Sequence, residues 1–343
     1  MPKPDGIYIA IESVIAVLAI LGNVLVIWVV KVTPEFQKKT IYYFIASLAV
    51  ADIAVGLAMP VAIVVSLGIP MAYEGCLFMC CLLMIFTQAS ILSLLAIAID
   101  RYLKVQLLTR YKITTEKRVW IILVAIWFLS LLVGFVPMFG FAHKKTDNSN
   151  YTKCQFTNLM KMDYLVYLSF FAGTLVPLIL MCILYTKIFC IIRTKLKHCS
   201  MTVKRQGIFY RHEFKTAKSL ALVLFLFALC WLPICIMNCI TYFGSYSIPQ
   251  CVTSMGILLS HSHSVMNPIV YAFRIKKFRG ACLQILRTYI LHTDPTRDAP
   301  NVNISSKHYR CLLENQTIGV PSSDYQQLTK ISNFHEFATK NCI

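Results

Sequence analysis

Long stretches of the chain carry no Asp, Glu, Lys or Arg. Residues 75–99, 119–142, 164–186 and 219–273 lack these four residue types, and residues 7–30 and 40–73 are interrupted only by Glu12 and Asp52. The stretch 219–273 is too long for one crossing, and its turn residues at 244–249 divide it in two. A helix needs about 20 apolar residues to cross the roughly 30 Å hydrocarbon core of a bilayer. The pattern therefore predicts seven spans, over residues 7–31, 40–66, 75–102, 118–141, 162–191, 214–243 and 250–273.

The predicted fold is an all-α membrane protein, a seven-transmembrane helix bundle with a short interfacial eighth helix. Basic and apolar residues alternate at helical spacing over 274–287, which is typical of a helix lying in the membrane interface. We expect residues 1–6 to be an extracellular N-terminus, 7–273 the bundle, and 288–343, which is polar, a disordered cytoplasmic tail.

The charge of the chain predicts its orientation. The 343 residues include 33 Lys and Arg against 15 Asp and Glu, a formal net charge of +18, although 57% of residues are hydrophobic and only 14% are charged. That composition excludes a disordered, collagen-like or coiled-coil chain. With the N-terminus outside, 28 of the Lys and Arg lie on the cytoplasmic side and 5 on the outer side. Because cytoplasmic loops are enriched in Lys and Arg, we expect a multi-pass plasma-membrane protein with its C-terminus inside. The basic surface then faces anionic membrane lipid and a protein partner, and no motif supports nucleic-acid binding.

One ionisable residue lies in the middle of a predicted span. Asp52 is surrounded in the sequence by apolar residues, and a carboxylate inside a membrane is costly enough to indicate a function. It requires either a partner or a cation. The candidate partners on other spans are Asn23, Ser90, Ser264 and Asn267. A hydrogen-bonded packing network without an ion is the alternative.

Two further ionisable residues lie in the outer halves of spans one and seven. Glu12 and His261 are at similar depths, so they could face each other as a carboxylate–imidazole pair. The alternative is that each side chain reaches a separate water-filled pocket.

Charged residues at the inner membrane edge predict a switch. Asp100, Arg101 and Tyr102 close span three, and Glu213 opens span six at the same depth. An Arg with two acidic neighbours could form a breakable ion pair. Whether such a pair stabilises the fold is ambiguous, because burying it costs desolvation. Ordinary snorkelling of the arginine is the alternative.

Prolines within the spans predict kinks. A proline removes one intrahelical hydrogen bond, and Pro233 in span six, Pro177 in span five and Pro268 in span seven each lie inside a helix. Pro268 belongs to a polar segment that begins at Asn267 and ends at Tyr271. A kink in span six would act as a lever for its inner end, whereas a packing kink without a switching role is the alternative.

The predicted outer loops carry residues suited to covalent modification. Cys76 at the outer end of span three and Cys154 in the second outer loop are placed to form a disulfide in an oxidising compartment. Asn150 begins an Asn-Tyr-Thr glycosylation sequon in the same loop. The pairing of Cys239 and Cys251 and the acylation of Cys282 stay open.

The motifs together resemble those of the rhodopsin-like G protein-coupled receptors, over residues 7–287. They are Asn23 in Gly-Asn-Val-Leu-Val, Asp52 in Leu-Ala-Val-Ala-Asp, Asp100-Arg101-Tyr102, Trp127, Cys230-Trp231-Leu232-Pro233 and Asn267-Pro268-Ile269-Val270-Tyr271. Within that family, residues 94–103, 137–140, 214–220 and 266–273 resemble the adenosine receptors. Residues 154–156, 225–231 and 255–261 are most similar to subtype three.

The resemblance implies a binding site for adenosine between the outer halves of spans three, six and seven. Asn238 would hydrogen-bond the adenine as both donor and acceptor, since a carboxamide offers both groups. Phe156 would stack on the adenine, and Ser260 and His261 would face the ribose, with Glu12 behind the imidazole. The other implied residues are Thr87 and Gln88 near the ribose, Trp231 at the floor, and the apolar wall residues Leu83, Ile234 and Ile257. Plain helix packing is the alternative for each of them.

The resemblance also implies an inhibitory G protein that lowers cyclic AMP, with arrestin and a receptor kinase acting on the tail. It implies an allosteric sodium ion at Asp52, Ser90 and Asn267. However, His263 stands where the family motif has Asn, and an imidazole is bulkier and can be cationic, so the ion is left open. Two further residues depart from the family pattern. Cys235 stands where relatives carry His or Ser, and Thr157 stands where several relatives carry Glu.

Other classes of protein fit the sequence less well. A retinal protein needs a lysine in span seven, and residues 250–273 contain none. A transporter or channel would show internal repeats or a polar lining through several spans. An enzyme would need a nucleophile, metal cluster or phosphate loop, and no such set is present, so neither catalysis nor another cofactor is predicted. A receptor of the same fold for another small ligand is the remaining alternative.

Overall fold

The computed structural model describes residues 6–37, 39–67, 70–106, 116–140, 142, 151–153, 159–198, 204–244, 246, 248–274 and 276–285. Within these ranges, seven long helices and one short helix follow in chain order. They are α1 (Gly6–Val32), α2 (Thr40–Ser66), α3 (Tyr73–Gln106), α4 (Glu116–Phe135), α5 (a π-helical segment Tyr164–Leu175 continued by Val176–His198), α6 (Lys204–Gly244), α7 (Gln250–Arg274) and α8 (Lys276–Ile285). A helical turn, Pro34–Gln37, lies between α1 and α2, and a 3-10 helix, Val136–Phe139, extends α4.

The seven long helices close into a ring. Helix α1 packs against α2 and α7, α2 packs against α3, and α3 packs against α4 and α5. Helix α5 then contacts α6, which packs along α7. The predicted seven-helix bundle is confirmed, and the short α8 follows where an eighth helix was expected. The predicted tail, 288–343, lies outside the described residues.

Helix α7 is the most polar of the seven. Among the described residues, six helices, α1 to α6, are long and apolar enough to cross a membrane. The buried face of α7 carries Ser260, His261, His263, Ser264 and Asn267, which lowers its hydropathy below that of the other helices. A span whose most polar central residues, the two histidines and Asn267, face the bundle is compatible with the membrane, because the cost falls on lipid-exposed polar groups.

Apolar side chains cover the outside of the bundle. On α4, Ile121 and Val124 are each 66% exposed and Phe128 is 58% exposed. Such a surface would be an aggregation hazard in water, but hydrocarbon tails are as apolar as leucine. The exposure therefore agrees with a helix that faces lipid.

Helix α5 changes from π to α geometry just before Pro177. This proline has no N–H to offer the carbonyl of Gly173 four residues earlier. Gln88 of α3 donates its Nε2–H to that carbonyl across 3.2 Å, and Thr174 donates its hydroxyl to the Ser169 carbonyl, five residues back, across 3.0 Å. The kink expected at Pro177 therefore takes the form of a π-helical segment that the α3–α5 contact stabilises.

A two-stranded sheet links the α2–α3 and α4–α5 loops at the end of the bundle where α1 begins, which is the end predicted to face outward. Strand β1 (Pro70–Ala72) pairs antiparallel with β2 (Tyr151–Lys153), and Pro70 is opposite Lys153. Cys76 is disulfide-bonded, whereas Cys239 and Cys251 are free. The predicted partner Cys154 directly follows β2 but lies outside the described residues, as does the sequon at Asn150. The Cys76–Cys154 disulfide stays a prediction that the strand register supports.

Helices α3 and α4 approach closely at Gly134. A methyl group at Gly134 would lie 2.3 Å from Cγ1 and 2.9 Å from the backbone nitrogen of Ile85, so relief requires a backbone shift. We expect Gly134→Ala to lower the free energy of unfolding by about 1–3 kcal/mol. Thermal unfolding of the purified protein in detergent measures the loss. Gly280→Ala is the matched control, because nothing lies within 4 Å of its added methyl group. Equal midpoints for the two variants would contradict the close approach.

Candidate functional site

A carboxylate–imidazole pair joins α1 and α7 in the predicted outer half of the bundle. Glu12 Oε1 and His261 Nδ1 are in direct contact, and the two residues are buried to 0% and 7% exposure. The structure thus brings together the two residues whose depths suggested a pair. The second oxygen, Oε2, of Glu12 is buried without a hydrogen-bond partner among the described residues.

Helix α6 carries two of the predicted pocket residues, Trp231 and Asn238. The Trp231 ring centroid lies 5.4 Å from that of His263 and 6.3 Å from that of Phe227, and the indole N–H is buried without a partner among the described residues. Asn238 is half-buried, and its carboxamide makes no hydrogen bond to any residue that the structure describes. The Asn238 carboxamide is therefore available to a ligand, whereas the indole N–H is shielded from the surface.

The other predicted pocket residues lie on α3, α6 and α7. Thr87 and Gln88 are buried, and Gln88 already binds Gly173 as described above, so its amide has a structural role beside any role toward a ligand. Ser260 donates its hydroxyl to the Ile257 carbonyl across 2.7 Å. The apolar residues Leu83, Ile234 and Ile257 are half-buried. Phe156 and Thr157 lie outside the described residues, so their predicted positions stay predictions.

Asp52 is the centre of a buried polar cluster in the middle of the bundle. It is fully buried, its Oδ2 accepts the Nδ2–H of Asn267 across 2.7 Å, and its Oδ1 accepts the Ser90 hydroxyl across 3.3 Å. Asn23 donates to the Ser264 carbonyl across 2.9 Å and to Ala19 across 2.8 Å. Helices α1, α2, α3 and α7 thus meet through polar contacts, as buried polar groups require.

His263 joins this cluster from α7. Its Nε2 lies 3.7 Å from Asp52 Oδ1 and 3.3 Å from the Ser264 hydroxyl. Its Nδ1 lies 2.6 Å from the Ser260 carbonyl, and since a carbonyl only accepts, Nδ1 carries the hydrogen of that bond. The imidazole is 3% exposed and fills the space between Asp52 and the Trp231 ring.

An ion-pair cluster lies at the predicted inner end of α3 and α6. Arg101 contacts the neighbouring carboxylate of Asp100 and lies 3.4 Å from Glu213 Oε2. Lys104 lies 2.6 Å from Glu213 Oε1, and Thr40 donates its hydroxyl to Asp100 across 2.6 Å. The predicted Arg101–Glu213 contact is present, and a second cation shares the same carboxylate. Tyr102 is half-buried beside this cluster.

The inner half of α7 packs tightly against α1 and α8. A methyl group at Gly22 would lie 3.1 Å from Pro268 Cγ, and the Tyr271 ring lies 6.1 Å from that of Phe278 on α8. The Tyr271 hydroxyl is buried without a partner among the described residues. The aromatic contact fixes α8 beneath the bundle.

Comparison with known proteins agrees with this arrangement. The family model described as 7 transmembrane receptor (rhodopsin family) matches residues 22–271. Adenosine receptor A3 of Canis lupus familiaris is 56% identical over 290 residues, which cover 83% of this chain and 92% of that protein. Adenosine receptor A3 of Ovis aries is 55% identical over 83% of this chain and 90% of that protein, and that of Bos taurus 53% identical over 88% and 96%. The chain belongs to the rhodopsin family of seven-transmembrane receptors, within its adenosine receptor branch.

This assignment confirms the resemblance predicted from the motifs. The receptor is a multi-pass protein of the plasma membrane, and the receptors it is similar to are not enzymes. In the part of the chain that the structure describes, no group of three or more His, Cys, Asp or Glu is placed to hold a metal ion.

Several contacts of the receptor were not found from the sequence. Lys104 lies three residues after Arg101 and therefore on the same helix face, a spacing that could have indicated its contact with Glu213. At the predicted outer end, the Tyr242 hydroxyl of α6 donates to Asp163 ahead of α5, a contact without a sequence signal.

Cys282 is half-buried on α8, where burial raises the pKa of its thiol, so the thiol is protonated at neutral pH and less nucleophilic.

Proposed function

We propose that the receptor binds extracellular adenosine in the outer crevice between α3, α6 and α7. The observation that carries the proposal is the buried contact between Glu12 and His261, in a chain 56% identical to a protein named adenosine receptor A3. The half-buried carboxamide of Asn238 on α6 would complete the site. The three side chains supply the polar groups that a nucleoside needs. The apolar walls around them supply the burial that a small ligand needs.

The contact with Glu12 sets the chemistry of the imidazole. A carboxylate accepts hydrogen bonds, so His261 Nδ1 carries a hydrogen toward it, and the other ring nitrogen, Nε2, is left for a ligand. In the neutral ring Nε2 accepts, which suits the hydroxyl of a ribose. Glu12 thus acts as a positioning residue that fixes both the tautomer and the orientation of the ring.

The purine would bind to α6. The Asn238 carboxamide offers one acceptor and two donors, which match the adjacent amino group and ring nitrogen of adenine. Phe156 would cover the flat face of the base, and Trp231 would lie beneath the ribose. Relatives with His or Ser at the position of Cys235, or Glu at that of Thr157, would offer polar contacts that this chain lacks.

Binding would be coupled to the inner cluster through α6. Contraction of the crevice would press on Trp231, two residues from Pro233, and the inner half of α6 would swing outward and separate Glu213 from Arg101. A ligand shifts such an equilibrium only by its different affinities for the two states. We assign the outer side of the membrane to the N-terminus and the inner side to the C-terminus, because Lys and Arg are concentrated in the segments that then face the cytoplasm.

The cleft opened by α6 would receive an inhibitory G protein, so that adenosine lowers cyclic AMP. Arrestin and a receptor kinase would act on the Ser- and Thr-containing tail, and anionic lipid would contact the basic segments. A receptor of the same fold for another small ligand is the alternative.

Radioligand binding to membranes of expressing cells tests the proposal. We expect saturable binding of a tritiated adenosine analogue that adenosine displaces, and weaker displacement by adenine or 2′,3′-dideoxyadenosine, because His261 and Ser260 would lose the ribose hydroxyls. Cyclic AMP should fall in the same cells after adenosine is added. Untransfected cells are the control. Surface-expressed receptor without specific binding would refute adenosine and favour the alternative ligand.

A further inference from the structure

The surroundings of Asp52 differ from those that bind a sodium ion. The family resemblance implies an ion at Asp52, Ser90 and Asn267, so the side chains around that carboxylate decide whether one fits. Asn267 presents its Nδ2–H to Asp52 across 2.7 Å, and Ser90 presents its hydroxyl across 3.3 Å. Both residues act as hydrogen-bond donors to the carboxylate, and their own oxygen lone pairs stay free. These two residues alone therefore do not exclude an ion, and the next neighbour of Asp52 decides whether one fits.

His263 occupies the remaining side of the carboxylate. Its Nε2 lies 3.7 Å from Asp52 Oδ1, and both side chains are buried, at 3% and 0% exposure. The family motif has Asn at this position, and a carboxamide offers an oxygen that an imidazole lacks. Hard cations such as Ca²⁺ and Mg²⁺ take oxygen ligands, whereas imidazole suits transition metals. Sodium is also a hard cation, so the change from Asn to His removes an oxygen ligand and adds bulk beside the carboxylate.

The imidazole is held in this orientation on several sides. Nδ1 donates to the Ser260 carbonyl across 2.6 Å, and the Ser264 hydroxyl lies 3.3 Å from Nε2. The rings of Phe227 and Trp231 pack edge-on against it, with centroids 5.9 Å and 5.4 Å away. Moving the ring aside to admit an ion would break the Ser260 hydrogen bond and disturb the α6–α7 packing. The residues present do not fit the ion that the family resemblance implies.

We propose that His263 takes the place of the sodium ion in this receptor, so that neither its stability nor its ligand affinity depends on sodium. The side chains of Asn267, Ser90 and His263 complete the surroundings of Asp52 without a cation. The coupling between sodium and ligand binding is then absent, because an effector that does not bind has no differential affinity for two states. The part that concerns ligand affinity rests on the proposed adenosine binding, and the part that concerns stability does not.

Thermal unfolding of the purified, ligand-free receptor tests the stability part directly. The receptor in NaCl is compared with the receptor in choline chloride at equal ionic strength, and we expect equal midpoints. For His263→Asn, which restores the family residue, we expect sodium to raise the midpoint by about 2 °C or more, because a ligand that binds only the folded state stabilises it. The double variant Asp52→Ala/His263→Asn should lose that rise, which shows that the response comes from this carboxylate.

Binding of a tritiated adenosine analogue gives the second readout. In the wild-type receptor the IC50 of adenosine should change by less than about twofold between the two salts, and in His263→Asn by about fivefold or more. A sodium-dependent rise in the wild-type midpoint would overturn the proposal by itself, whether or not the variant folds. A folded His263→Asn receptor that ignores sodium would also overturn it. Absence of any analogue binding would refute the proposed adenosine function instead, and the unfolding comparison would still decide the role of His263.

Discussion

Asn238→Ala is expected to weaken the binding of an adenosine analogue by about 30- to 1,000-fold, the largest effect of any single pocket substitution. The carboxamide is half-buried and makes no hydrogen bond to a described residue, so its donors and acceptor are available to one purine edge. Removing it leaves two polar groups of the base without partners in an apolar crevice. At about 1–2 kcal/mol for each group, the loss is roughly 2–4 kcal/mol.

Saturation binding on expressed membranes measures this change, with receptor number checked separately by surface labelling. Ile236→Ala is the matched control on the same helix, because the Ile236 side chain is apolar and 50% exposed. The affinity of this variant should stay close to that of the wild-type receptor. Asn238→Gln keeps the amide but moves it outward, so it should bind more weakly than the wild type. Unchanged affinity in a well-expressed Asn238→Ala receptor would remove Asn238 from the ligand site.

Span positions were predictable because charge is excluded from hydrocarbon, whereas helix ends were not. Helix α6 begins at Lys204, ten residues before the predicted start at 214, and α3 ends at Gln106 rather than 102. Basic and acidic residues mark where the bilayer stops, but a helix that is already nucleated in the membrane can add further turns in water. The charge pattern therefore locates the membrane and not the helix.

Buried polar contacts were predictable where both partners are costly in lipid. Glu12, His261 and Asp52 have no favourable position except inside the bundle, so their depths alone restricted the possible partners. The π-helical segment before Pro177 was not predictable in this way. The π-helical segment depends on which backbone carbonyl loses its N–H donor and on whether Gln88 of another helix supplies a new donor. The residues around Pro177 do not indicate either.

His263 was recognisable in the sequence as a departure from the family motif, but its contacts were not. The sequence indicated that an imidazole replaces Asn beside Asp52, but not which ring nitrogen faces the carboxylate. The structure places Nε2 3.7 Å from Asp52 Oδ1. The 2.6 Å contact with the Ser260 carbonyl puts a hydrogen on Nδ1, because a carbonyl requires a donor. The departure from the family motif was therefore visible in the sequence, and its chemical consequence required the structure.

Glu213→Gln is expected to raise signalling in the absence of ligand by about 5- to 30-fold. Glu213 is 3% exposed, and its two oxygens contact different cations, Arg101 at 3.4 Å and Lys104 at 2.6 Å. These contacts tie α6 to α3 at the inner end, and a neutral amide keeps the shape of the side chain while removing its charge. A buried pair is a weak stabiliser because of desolvation, so its effect is on the choice between packing states. We take these contacts to favour the closed state by about 1–2 kcal/mol. Because the open state is sparsely populated, losing that preference raises the open fraction by about 5- to 30-fold.

Guanine-nucleotide exchange on an added G protein, measured in membranes without ligand, reports the open state. Lys104→Ala should give a smaller rise than Glu213→Gln, because the Arg101–Glu213 contact is retained. His212→Ala is the matched control. Its side chain is 63% exposed and lies 3.7 Å from Glu213, so an interaction screened by solvent contributes little and basal exchange should stay unchanged. If Glu213→Gln expressed at the wild-type level exchanged nucleotide at the wild-type basal rate, the charge on Glu213 would not hold α6 closed, and the swing of α6 would have to be controlled by the packing around Pro233 alone.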